Sequence, residues 1–142
     1  MSNSIDNDYG LWLQEQIRNL QLHNWENLDI PHLVEEIEGL NRSNERELYS
    51  YLIVILTHLL KWQFQPDQRS GSWKGSIRNG RNRIQRLFKN QPSLKTYVDE
   101  VLSEAYDEAV IQAEEEMGQQ ILLKDACIYS SKEILDFDFL PD

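Results

Sequence analysis

Apolar residues recur at steps of three and four along almost the whole chain, the spacing of one helix face. Leu11, Trp12, Ile17 and Leu20 predict a helix over residues 8–22, with Asn7 or Asp8 as N-cap. The next helix opens at DIPHL, where Asp29 suits the N-cap and Pro31 the first turn. Its apolar positions are Leu33, Ile37 and Leu40, then polar Asn44, then Leu48, Leu52, Ile55, Leu59 and Trp62. One phase is kept across Asn44, so the pattern predicts a single long helix over 31–64, with a bend near Gly39.

Gln65-Pro66-Asp67 ends that helix, and Ser70 or Ser72 caps the next, over 73–89, with Trp73, Ile77, Ile84 and Phe88 on one face. Asn90 closes it and Pro92-Ser93 starts another over 94–117, with Val98, Leu102, Ala105, Ala109 and Ala113 inward and Gly118 as the C′ residue. A short helical turn near 131–136 carries Ser130 or Ser131 and Glu133, and DFLPD forms an extended tail. No alternating segment is long enough to argue for a sheet. The expected fold is all-α: a bundle of four main helices in a single domain, residues 1–142.

Composition sharpens this picture at a few points. A chain of 142 residues that is 40% hydrophobic and 10% aromatic can bury a core despite its formal charge of -10. Cys127 is the single cysteine, which excludes a disulfide framework and fits a reducing compartment. The start, MSNSIDNDYG, has no secretory signal, and LYSYLIVILTHLL, residues 48–60, is too short to span a membrane. The expectation is an acidic cytoplasmic protein without a membrane partner. Its acidity disfavours nonspecific adhesion to nucleic acid.

Against that acidity stands one basic stretch. Residues 61–89 hold eight lysines and arginines against Asp67, a balance of +7, and residues 99–116 hold eight acids and no base, -8. A short turn between them makes the two helices antiparallel neighbours, so mutual neutralisation is the plainest reading. Such exposed pairs contribute about 0–1 kcal/mol each. The competing reading is a nucleic-acid surface built on Arg78, Arg81, Arg83 and Arg86, with tryptophans for stacking.

The stretches EEIEGL, THLLKWQFQP, SWKGSIRNGRNRI and PSL, Tyr106 with Ala109, and ILDFDFLPD resemble the domain-of-unknown-function family number 29. The resemblance covers nearly the whole chain. It implies a largely helical protein of a kind common in cyanobacteria and carries no established activity. Two places depart from the family pattern. Met117-Gly118 stands where the family has Thr-Gly. LLKDACI, residues 122–128, stands where it has Phe-Pro and Cys-Pro pairs, which leaves Cys127 without a family role.

Candidate chemistry is sparse. His32 and Glu36 lie four apart on one helix, but three residues before each histidine stand Leu20, Asp29 and Ile55, so a di-metal Glu-x-x-His set is missing and no metal or other cofactor is expected. His58 reads as a hydrogen-bonded core residue, and His23 as a helix-end residue suited to the dipole. The clusters Glu35-Glu36-Glu38 and Glu114-Glu115-Glu116 read as solvated faces. No phosphate loop or nucleophile motif occurs. On the 73–89 helix, Arg81 falls on the apolar face beside Gly80, which suits the close approach of another helix. A buried arginine needs a partner. The expectation is an ion pair with Glu36, or failing that Glu108, shielded by Trp62 and Trp73. The alternative is a pocket in which Arg81 binds an anionic ligand. Glu36, His58, Lys61, Trp62, Trp73, Arg81 and Tyr106 thus form the candidate polar cluster. The expected function is a non-enzymatic interaction or regulatory module with a protein partner or a second copy. Nucleic-acid binding is the runner-up, and an enzyme or metal protein centred on His58 or His32 the third reading.

Overall fold

The computed structural model describes residues 4–122 and 126–142. The fold is all-α: α1 (Tyr9–Gln21), α2 (Ile30–Phe64), α3 (Gly71–Asn90), α4 (Leu94–Met117) and a short α5 (Ser131–Leu135). Single 3-10 turns, Trp25–Asn27 and Pro66–Gln68, precede α2 and α3. The chain divides into two compact units, Met1–Arg42 and Ser43–Asp142, and α2 runs through both.

In the first unit the Asp8 side chain caps α1 by accepting from the Leu11 amide at 3.0 Å. The helix ends at His23, which takes the left-handed conformation at φ 59°. The His23 amide bonds Leu20 and the Asn24 amide bonds Asn19, the paired closure of a Schellman motif with histidine in the usual glycine position. The buried face of α1 is Trp12, Gln16 and Asn19, spaced by four and three. Of the apolar residues that mark this helix in the sequence, Trp12 is buried, while Leu11, Ile17 and Leu20 are exposed. The reason is hydrogen bonding. Gln16 Oε1 accepts the Asp29 amide (2.8 Å), Asn19 Nδ2 donates to the Asn27 carbonyl (3.2 Å), and Trp12 Nε1 donates to Asp29 Oδ2 (2.9 Å). A polar face therefore docks the connector, because the connector's backbone and Asp29 need partners.

In the second unit the core is built from Leu48, Leu52, Ile55, Leu56, Leu59 and Leu60 of α2 and Ile77, Ile84 and Phe88 of α3. From α4 it takes Leu94, Val98, Val101 and the Ala105-Ala109-Ala113 row, with Ile134 from α5. The expected inward positions of α3 and α4 hold, with Trp73 and Leu102 only half-buried. Asn44, the polar break in the α2 stripe, donates to Gln91 Oε1 at 2.8 Å, beside the end of α3. Ser70 caps α3, Gly118 closes α4 at φ 70°, and Ser130 with Glu133 makes a capping box on α5. A Cβ on Gly80 would stand 2.7 Å from Ile55 Cγ1, so α2 and α3 approach through the missing side chain.

Candidate functional site

The tryptophans of the basic stretch pair with cations. Lys61 Nζ lies 4.8 Å from the Trp73 ring centre, and Lys74 Nζ 5.6 Å from that of Trp62. The Arg69 guanidinium sits 4.9 Å from the Trp62 ring and donates through Nε to the Trp62 carbonyl at 2.7 Å. The end of α2 and the start of α3 thus exchange cations and rings, each such contact contributing about 0.5–1 kcal/mol at half-exposed positions. Lys61 also reaches Glu116 at 3.5 Å. Trp62 and Trp73, expected to shield Arg81, thus take Lys61, Arg69 and Lys74 as neighbours.

Arg81 is buried as expected, 2% exposed, but its partner differs. Its Nε donates to the Ile134 carbonyl (2.8 Å) and its Nη2 to the Glu133 carbonyl (3.2 Å). Among the described residues no carboxylate stands within ion-pair distance of it. Burial pushes its pKa below the ordinary guanidinium range, opposed by the charge of Asp136. Glu36, the expected partner, belongs to the first unit and accepts from the Tyr9 hydroxyl at 2.5 Å, which raises the Tyr9 pKa. Glu108, the second choice, is exposed. Carbonyls at the end of α5 take the place of the carboxylate.

The remaining candidates have separate neighbours. His58 Nδ1 donates to the Val54 carbonyl at 2.7 Å, the hydrogen bond expected, but the residue is half-buried beside the core rather than within it. Tyr106 is buried, and burial pushes its pKa up to about 12. Nearby in charge, Cys127 donates to the Tyr129 carbonyl at 3.2 Å and the Tyr129 hydroxyl donates to Gln63 Oε1 at 2.7 Å. Burial raises the Cys127 thiol, which makes it a poor nucleophile. Part of the departing stretch 122–128, residues 123–125, lies outside the described residues. His32 Nδ1 bonds Asp29 Oδ2 at 2.7 Å. Hydrogen bonds from the His32 ring, from Trp12 and from the His32 amide hold the Asp29 carboxyl below its usual range, and Asp29 raises His32. Among the described residues no group of three His, Cys, Asp or Glu could hold a metal ion.

Two surfaces are left. Arg78, Arg83, Arg86 and Lys89 of α3 are exposed, and among the described residues no ion pair joins α3 to α4. Of the basic stretch 61–89 and the acidic stretch 99–116, Lys61 and Glu116 make a direct pair, and that pair comes from the end of α2 rather than from α3. The other surface was not read from the sequence. Of the thirteen exposed large apolar side chains among the described residues, ten fall between Tyr9 and Leu40. On α2, Ile30, Val34, Ile37 and Leu40 step by four, three and three along one stripe, with Ile37 64% and Leu40 69% exposed. Ile37 and Leu40 belong to the apolar phase read from the sequence. Their periodicity was correct, but the first unit does not cover them.

The described residues define an all-α protein. No helix among them is long and apolar enough to cross a membrane. The chain belongs to the family described as domain of unknown function DUF29, whose model matches residues 5–140. No curated protein and no solved structure matches it.

Proposed function

We propose that the protein is an interaction module that docks a protein segment on the apolar surface of residues 9–40. The observation that carries this is the concentration of ten exposed large apolar side chains in that stretch. Single exposed apolar residues are ordinary, but a cluster of this kind marks a binding face. Trp25, 58% exposed and stacked on His23 at 5.1 Å between ring centres, adds an aromatic anchor of the type that dominates interface energies.

Charge selects the occupant. Residues 1–42 hold eight acids and two bases besides histidine, a net of -6. Two copies meeting through this surface would juxtapose like charges. A segment that brings lysine or arginine beside its apolar anchors would be attracted instead. The occupant is therefore an amphipathic cationic helix of another protein, laid along the α2 stripe by its own residues at steps of three and four. Hydrogen exchange of the protein with and without a lysine-leucine amphipathic peptide tests this. Protection confined to residues 9–40 supports the reading. Protection spread over both units, or none, contradicts it.

The runner-up rests on the exposed arginines of α3. Anisotropy with short DNA and RNA at about 50 mM salt decides it, because phosphate binding driven by counterion release is strong there and falls steeply as salt rises.

A further inference from the structure

A cavity of about 530 Å³ lies in the second unit between α3 and the C-terminal tail, lined by Lys74, Ile77, Arg78 and Arg81 on one side and Phe137, Asp138 and Leu140 on the other. Its volume is that of a small-molecule site. The lining is divided by chemistry. Lys74, Arg78 and Arg81 lie at i, i+4 and i+7 of α3, one helical face. Ile77, Phe137 and Leu140 are apolar, and Asp138 is the single carboxylate of the lining.

Arg81 is the telling residue. It is 2% exposed, and its recorded hydrogen bonds go to the neutral carbonyls of Ile134 and Glu133. Those carbonyls satisfy N–H groups but carry no whole negative charge; the charge of Asp136 acts on the guanidinium from beyond ion-pair distance and outside the cavity lining. Three cations thus border one cavity against one acid. Structural arginines in protein interiors ordinarily have a carboxylate beside them.

We infer that this cavity binds a small amphiphilic organic anion, a carboxylate or phosphate ester whose acid group sits among Lys74, Arg78 and Arg81 and whose apolar body lies on Ile77, Phe137 and Leu140. Lys74 and Arg78 provide the contacts to the acid group. Arg81 is a positioning residue: it holds the tail that carries Phe137 and Leu140 against α3, and it adds its charge from the floor of the site.

The test is a titration of the full chain, followed by amide chemical shifts, with phenyl phosphate and benzoate. Benzyl alcohol serves as the neutral probe and inorganic phosphate as the headgroup alone. The expected result is saturable shifts in residues 74–81 and 133–140 with at least one of the two organic anions, and about tenfold weaker binding for Lys74→Gln and for Arg78→Gln, since each removes a charged hydrogen bond. Both residues project from the surface of α3, so the fold survives their replacement, and unchanged far-UV dichroism confirms it. Phe137→Ala should weaken phenyl phosphate and leave inorganic phosphate unchanged. Absence of shifts up to about 5 mM of either organic anion overturns the inference. So does equal binding of benzyl alcohol, which would show an apolar groove only, and so does inorganic phosphate binding as well as phenyl phosphate, which would show an adventitious ion only.

Discussion

Replacing Gly80 with alanine adds one methyl group to a space that α2 already fills. The new Cβ would stand 2.7 Å from Ile55 Cγ1 and 3.2 Å from Ile55 Cδ1, with the Tyr51 carbonyl oxygen at 3.6 Å. Carbon atoms rest at about 3.5–4.0 Å, so the overlap with Cγ1 approaches 1 Å. Ile55 is fully buried, so Cγ1 can turn away about the Cα–Cβ bond only into other core side chains. Overpacking of this kind costs about 1–3 kcal/mol. Alanine in a helix interior returns about 1 kcal/mol relative to glycine. Gly80→Ala should therefore lower stability by about 0–2 kcal/mol. Ile55→Ala alone should cost about 2–5 kcal/mol as a cavity. In that background the clash is gone and Gly80→Ala should stabilise by about 1 kcal/mol. The diagnostic is this change of sign, a coupling of about 1–3 kcal/mol. Urea unfolding of the four proteins, followed by far-UV dichroism, measures it. If Gly80→Ala stabilises the native sequence by the full helix-propensity increment, the helices do not meet at this point and the reasoning fails.

Other changes have equally definite signs. Thr57 is wholly buried with an unpartnered hydroxyl among the described residues, so Thr57→Val should raise stability by about 1 kcal/mol in the same urea assay; a loss would mean the hydroxyl has a partner. His23→Gly removes a left-handed non-glycine residue and should stabilise by about 1 kcal/mol, yet weaken partner binding because the stack on Trp25 is lost; thermal melting and peptide titration read the two effects separately. His32 should titrate above 6.5 by proton NMR, and Asp29→Asn should bring it down. The sign follows from that shift: the His32 contribution is complete below the unfolded pKa of about 6.5 and is lost as pH rises through the folded value. Asp29, whose pKa is lowered, contributes above about 3.9 and loses its effect as pH falls.

The helices were legible because their ends carry side-chain signals. Asp8, Ser70, Gly118 and the Ser130–Glu133 box all act as caps, and the expected spans of the four main helices lie within two residues of those observed. The burial of Arg81 was legible because Ile77, Ile84 and Phe88 fix the inward face of α3. Its partners were not, since a backbone carbonyl has no signature in sequence. The buried face of α1 was not legible for the same reason. Gln16 and Asn19 are buried because connector backbone groups meet them, and hydropathy ranks them below Ile17 and Leu20. The candidate surface of residues 9–40 was legible as periodicity and illegible as exposure: an apolar stripe looks alike whether a core or a partner covers it.

Fluorescence anisotropy of a labelled cationic amphipathic helix, titrated with the native protein, with Ile37→Glu/Leu40→Glu and with Arg83→Glu/Arg86→Glu, tests the docking account most directly. Ile37, Leu40, Arg83 and Arg86 are all exposed, so both variants should keep the fold. The account predicts binding to the native protein, a loss of at least tenfold for the Ile37/Leu40 variant because each side chain contributes an apolar anchor of about 1 kcal/mol or more, and little change for the arginine variant. Equal affinity for all three proteins, or no binding to the native one, would contradict it.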